Sequence, residues 1–97
     1  MFTLAVKFYA KEGKENELID TVRDATAIVR ENEKDTLAYS AFRNMKNPSE
    51  FFFFEQYTNR ESWVTVHNSM PYIKEAVEKI SGLIIGEMEL TEYESIT

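Results

Sequence analysis

The run Phe51-Phe52-Phe53-Phe54, inside the segment EFFFFEQY, constrains this chain more than any other stretch. Four consecutive aromatics are too few for a membrane span and follow no helical period, so they read as a strand buried on both faces. Side chains alternate along such a strand. Phe51, Phe53, Glu55 and Tyr57 therefore point to one side, and Phe52, Phe54, Gln56 and Thr58 to the other. Each side needs a cover. A chain of 97 residues is one domain spanning residues 1–97, able to bury roughly 60–70% of the surface its unfolded form exposes. Its own helices suffice for one side, and a second copy is expected on the other, making a homodimer. Glu55, a lone charge among aromatics, is a candidate wall of a pocket.

The rest of the sequence supplies the partners of that strand. Phe2, Leu4, Val6 and Phe8 alternate with polar or small residues, the period of a half-buried strand. After Gly13, Leu18, Ile19, Val22, Ala25 and Val29 recur at helical spacing up to about Asn32, with Glu15 and Glu17 in the first turn and Arg30 in the last. Glu31 to Asp35 reads as a polar link, Leu37 to Arg43 as a second strand, and NMKNPS as the turn of a hairpin into the phenylalanine strand. Thr58 followed by Glu61 predicts a capping box and a short helix from about Asn59 to His67, with Trp63, Val66 and His67 on one side. A helix from about Pro71 to Ser81, ended by Gly82, and a last strand from Ile84 to Glu94 complete the chain. The order β-α-β-β-α-β predicts an α+β, ferredoxin-like fold with a four-stranded antiparallel sheet.

Charge and composition remove several functions. With 11 basic against 17 acidic residues, a net charge of −6 and no basic run interleaved with aromatics, nucleic acid is not an expected partner. Zero Cys excludes disulfides, thiolate catalysis and thiolate-bound metals, and one His with scattered carboxylates predicts no metal site. Gly13, Gly82 and Gly86 are isolated, so no phosphate-cradling loop, flavin or nicotinamide site is expected. The opening MFTLAVKFYAKEGKE has no basic region before its apolar part, which argues against a signal peptide and for the cytoplasm, without a membrane span.

Several short segments together carry a family resemblance: KEGKENEL at the first helix, Tyr39, the step from Pro48 to Phe51, the string FFFFEQY, and His67 with Pro71. In order and spacing the chain resembles the antibiotic biosynthesis monooxygenase (ABM) domain family. The resemblance implies a dimeric α+β barrel with two sheets face to face and a small-molecule pocket between sheet and helices. It also implies one of several activities: cofactor-independent oxygenation of quinols or anthrones, isomerisation of a phosphorylated signalling sugar, or haem degradation. For the haem branch, Val77 stands where a proximal histidine is expected and Val6 where an asparagine is expected, which disfavours that activity. For the quinol branch, Tyr57 replaces a frequent tryptophan and Tyr72 a frequent second histidine.

Cofactor-free oxygenation needs a base near neutrality, an apolar slot and donors for an anion. His67 is the one side chain whose ordinary pKa lies near 7. It is the candidate base, with Glu55 as its orienting partner. Tyr57, Tyr39 and Tyr72 are candidate substrate-binding hydroxyls, and Phe53 and Trp63 candidate walls for a small aromatic substrate and dioxygen. Each has a structural alternative: His67 can close its helix, and the tyrosines can be core residues with locally satisfied hydroxyls. The functional alternatives are an isomerase or other proton-transfer enzyme on a small carbonyl compound, and a non-enzymatic ligand-binding dimer.

Overall fold

The computed structural model describes residues 1–97. Its elements are β1 (Phe2–Tyr9), α1 (Glu15–Asn32), β2 (Thr36–Arg43), β3 (Glu50–Tyr57), a π-helical turn (Ser62–Val66) continued by a 3₁₀ turn (His67–Ser69), α2 (Pro71–Ser81) and β4 (Glu89–Glu94). The strands form one antiparallel sheet in the order β2-β3-β1-β4. This is the ferredoxin-like α+β fold.

The period-two pattern of β1 has the expected result: Leu4, Val6 and Phe8 are buried opposite Glu55, Phe53 and Phe51 of β3. Leu18, Val22 and Val29 of α1 and Ile73 and Ile80 of α2 close over the same face and form one core with it. Phe8 lies 5.9 Å from Phe51 and 5.5 Å from Phe53 between ring centroids; such a pair contributes about 0.5–1.5 kcal/mol beyond its burial. The opposite face carries Ala5, Lys7, Phe42, Phe52, Phe54 and Tyr93 in register. Phe42 and Phe52 stack at 5.0 Å yet remain 49% and 37% exposed, because both helices sit on the other side.

Three local features differ from the sequence-based expectation. The turn after β3 is capped by Asn59, not Thr58: the Asn59 Oδ1 accepts the Ser62 N–H at 2.8 Å, whereas Thr58 meets only the Ser62 hydroxyl. Asn59 stands three residues before that N–H, the spacing at which a side-chain acceptor caps a helix. The turn then winds as a π-helix, and Val66, expected beside Trp63 and His67, is turned outward and 39% exposed. As expected, Gly82 ends α2, with φ −74°. β4 begins only at Glu89, since Ile84 forms a single bridge to Ala10 and Gly86, at φ +67°, turns the chain in between.

At the start of β2 a register shift between Thr36 and Ala38 interrupts the pairing with β3. Strict alternation from Tyr39 would direct Leu37 toward the helices. The bulge puts Thr36 there instead and leaves Leu37 53% exposed.

Candidate functional site

The buried polar residues of the chain are Glu33, Glu55 and His67, at 8%, 4% and 3% exposure, and they lie together. Each comes from a different place in the fold. Glu55 is an interior residue of β3, flanked by Leu4 of β1 and Tyr39 of β2. His67 follows the π turn, whose winding turns it inward with Trp63 while Val66 faces out. Glu33 caps the end of α1, its N–H on the Val29 carbonyl, so its side chain extends the buried stripe of Val22 and Val29 by one turn.

Sequence reasoning pairs His67 with Glu55, but the carboxylate in hydrogen-bond contact with the ring is Glu33. His67 Nδ1 lies 2.7 Å from Glu33 Oε1. The same carboxylate accepts the Thr36 hydroxyl at 2.8 Å and the Tyr72 hydroxyl at 2.6 Å. Glu55 lies on the other side of the ring, its Oε1 4.0 Å from His67 Nε2, and accepts the Tyr57 hydroxyl at 2.6 Å. The rings of Tyr39 and Tyr57 each stand 5.4 Å from the imidazole.

A cavity of about 140 Å³ opens beside these groups, with Glu55, His67, Tyr39 and Asn68 as its polar lining. Leu4, Val6, Phe53, Trp63 and Ile73 are among its apolar walls. Exposed Val77 of α2 and Leu90 of β4 place its mouth between those two elements. His67 Nε2 has no hydrogen-bond partner, yet no buried side-chain polar atom is left without one. That nitrogen therefore opens onto the cavity. Trp63 stacks on Phe2 at 5.5 Å and carries the Arg60 guanidinium 5.5 Å above its ring, and Arg60 in turn forks onto Glu92 of β4 at 2.7 and 3.3 Å. This chain of contacts ties the π turn to β4.

The electrostatics follow from burial. Removal from water pushes the Glu55 carboxyl up to about 7, with the Tyr57 hydrogen bond opposing and the Glu33 charge reinforcing the rise. Burial pulls His67 below its ordinary value, against the pull of Glu33 in the other direction. The Tyr39 and Tyr57 hydroxyls are pushed upward, first by burial and then by the Glu55 carboxylate. Near neutral pH the site thus holds a neutral imidazole, a carboxyl whose titration is moved up toward that range, and protonated phenols. Such a set can accept one proton from a bound molecule and hold the resulting anion by hydrogen bonds.

Of the residues singled out from sequence, His67, Glu55, Tyr39, Phe53 and Trp63 line this cavity. The Tyr57 side chain is fully buried, with its hydroxyl spent on Glu55. Tyr72 lies behind His67, with its hydroxyl on Glu33 and its ring beside a groove between α1 and α2. Glu33 and Asn68 were missed. Asn68 sits in a helix break that looked purely connective, and the signal for Glu33 was its spacing of four from Val29. No group of three or more His, Cys, Asp or Glu side chains is arranged to hold a metal ion.

Fold and site together define a small α+β domain with a buried histidine and glutamate beside an apolar cavity under a four-stranded sheet. Residues 1–79 match the family model for antibiotic biosynthesis monooxygenase, ABM, and the chain belongs to that family. Among solved structures, an antibiotic biosynthesis monooxygenase superposes with a TM-score of 0.91 at 18% identity, with 100% of both chains covered. A conserved protein of unknown function from Bacteroides thetaiotaomicron VPI-5482 superposes with 0.88 at 23% identity over 97% of this chain and 96% of that one. A conserved protein from Methanosarcina mazei Go1 gives 0.86 at 18% identity over 95% and 89%. At these identities the likeness establishes the shared fold.

Proposed function

We propose that the protein is a cofactor-independent monooxygenase acting on a small, uncharged phenol or quinol, and that it works as a homodimer. The observation that carries this reading is the pair formed by His67 Nε2 and the Glu55 carboxyl, 4.0 Å apart on the wall of an apolar cavity. A single hydroxyl oxygen about 2.8 Å from each atom bridges that gap. The volume of about 140 Å³ is that of one ring; an apolar cavity of about 150 Å³ takes up benzene.

His67 Nε2 removes the hydroxyl proton, and the substrate anion, held by Tyr39 and the Glu55 side, becomes electron-rich enough to reduce dioxygen. At a ring C–H conjugated with that oxygen, one atom of dioxygen becomes a new carbonyl and the other leaves as water. The hydroxyl hydrogen and the ring C–H hydrogen end in that water, and all four electrons come from the substrate. The ABM family membership supports monooxygenase chemistry in general. The uncovered sheet face with Phe42, Phe52 and Tyr93 supports a second copy as its cover.

The same acid–base pair supports a proton-transfer reaction on a carbonyl compound, which consumes no oxygen. Oxygen uptake by purified protein, measured with chelator and no added cofactor over a panel of one-ring phenols and hydroquinones, separates the two. Protein-dependent uptake that drops about a hundredfold in His67→Ala is the expected result. Turnover without oxygen consumption would replace this reading with the isomerase one.

A further inference from the structure

We infer that Glu33 is a positioning residue: it holds His67 as the Nδ1–H tautomer, so that the Nε2 lone pair faces the cavity. Its role in oxygenation rests on the function proposed above, but the tautomer itself does not.

The geometry requires it. An ionised carboxylate only accepts, and three donors converge on this one: the Thr36 hydroxyl, the Tyr72 hydroxyl and the ring nitrogen Nδ1. With both hydroxyls donating to a carboxylate, a contact of 2.7 Å between Glu33 Oε1 and Nδ1 is a hydrogen bond in which Nδ1 carries the proton. A neutral imidazole has one N–H, so Nε2 is then the acceptor. The other groups facing the ring do not compete for Nδ1: Glu55 lies beside Nε2, and Tyr39 and Tyr57 present ring faces and edges. The clamp joins the end of α1, the bulged start of β2 three residues on, and the first turn of α2. The bulge at Thr36 has no other visible use, since a regular strand would send Leu37 into the space where the Thr36 hydroxyl meets Glu33.

The chemical consequence is direction. Without the clamp an imidazole takes either tautomer, and the Nε2–H form cannot accept a proton at the cavity wall. With it, the base is aimed before substrate arrives, and the charge acquired at Nε2 is balanced by Glu33 across the ring.

Because the chain has a single histidine, ring ¹⁵N resonances report on this site alone. The experiment is ¹⁵N NMR of His67 at about pH 7.5, where an imidazole is neutral, in the wild type, Glu33→Gln and Tyr72→Phe. The wild type should show Nδ1 protonated and Nε2 bare. Tyr72→Phe should keep that signature, since the Glu33–His67 bond survives. Glu33→Gln should lose it, because a carboxamide offers Nδ1 a donor as readily as an acceptor. A wild-type spectrum with Nε2 protonated would overturn the inference even if Glu33→Gln fails to fold. So would a folded Glu33→Gln with the wild-type signature. Neither result depends on turnover, so a failed oxygenase reading and a failed tautomer assignment remain distinguishable.

Discussion

Glu55 stands between Leu4 and Tyr39 in the middle of the sheet, with the Tyr57 hydroxyl as its hydrogen-bond donor and no cation beside it. Its carboxyl is raised from 4.5 to about 7, so the folded protein keeps a proton that the unfolded chain releases above about 4.5. Stability from this residue is therefore present in full below the unfolded value and is lost as pH rises toward 7, by roughly 3 kcal/mol in all. His67 has the opposite sign: its lowered value favours folding above the unfolded pKa of 6.5 and loses that contribution as pH falls. Glu55→Gln keeps the Tyr57 bond and removes only the first trend. Its stability gain over wild type in urea unfolding should be negligible at about pH 4 and grow to roughly 3 kcal/mol at about pH 8; an equal gap at both values would contradict the assignment. In the oxygenase assay the wild-type rate should fall as pH rises through about 7, where Glu55 loses the proton it donates to the substrate anion, and Glu55→Gln, whose amide still donates, should lose that fall. Glu55 and His67 were legible in the sequence because each is a chemical exception in its own segment. Glu33 was not, because it sits among Glu31, Lys34 and Asp35 and differs from them only in which way the end of α1 points.

Among the elements, the strands and long helices were legible and the short turn after β3 was not. Alternation and helical spacing are read over eight or more residues, as in β1 and α1, so a few exceptions do not obscure them. The five-residue π turn has no such averaging, and its winding is set by the cap at one end and by Trp63 and His67 packing inward. The sequence points to Thr58 as the cap, and the structure uses its neighbour Asn59. Asn59→Ala should destabilise the protein by about 1 kcal/mol, the usual effect of losing a side-chain cap, and Thr58→Ala by clearly less. Thermal or urea unfolding of the two variants decides between them, and the reverse ranking would restore the capping box read from Thr58 and Glu61. The start of β4 was placed too early for a related reason: Ile84 and Ile85 look like strand residues, but Gly86 at φ +67° breaks the run before it can pair continuously.

For the molecule as a whole, the four phenylalanines divide between two surfaces. Phe51 and Phe53 enter the core, while Phe52 remains partly exposed beside Phe42 on a face no helix covers. If a second copy covers that face, Phe52→Lys should yield monomer or insoluble protein by light scattering coupled to gel filtration. A soluble, stable dimer carrying this change would show that the subunits meet elsewhere. Neither helix is apolar and long enough to cross a membrane. The one tryptophan lies on the opposite side of the sheet, on the wall of the cavity. Its indole is stacked on Phe2 and roofed by Arg60, so its emission depends on what fills the space next to it. With excitation confined to tryptophan, the protein carries its own optical gauge: a compound entering the cavity alters the medium of that single indole, and one adhering to the open sheet does not. Ligands can be ranked by intrinsic fluorescence before any reaction is known.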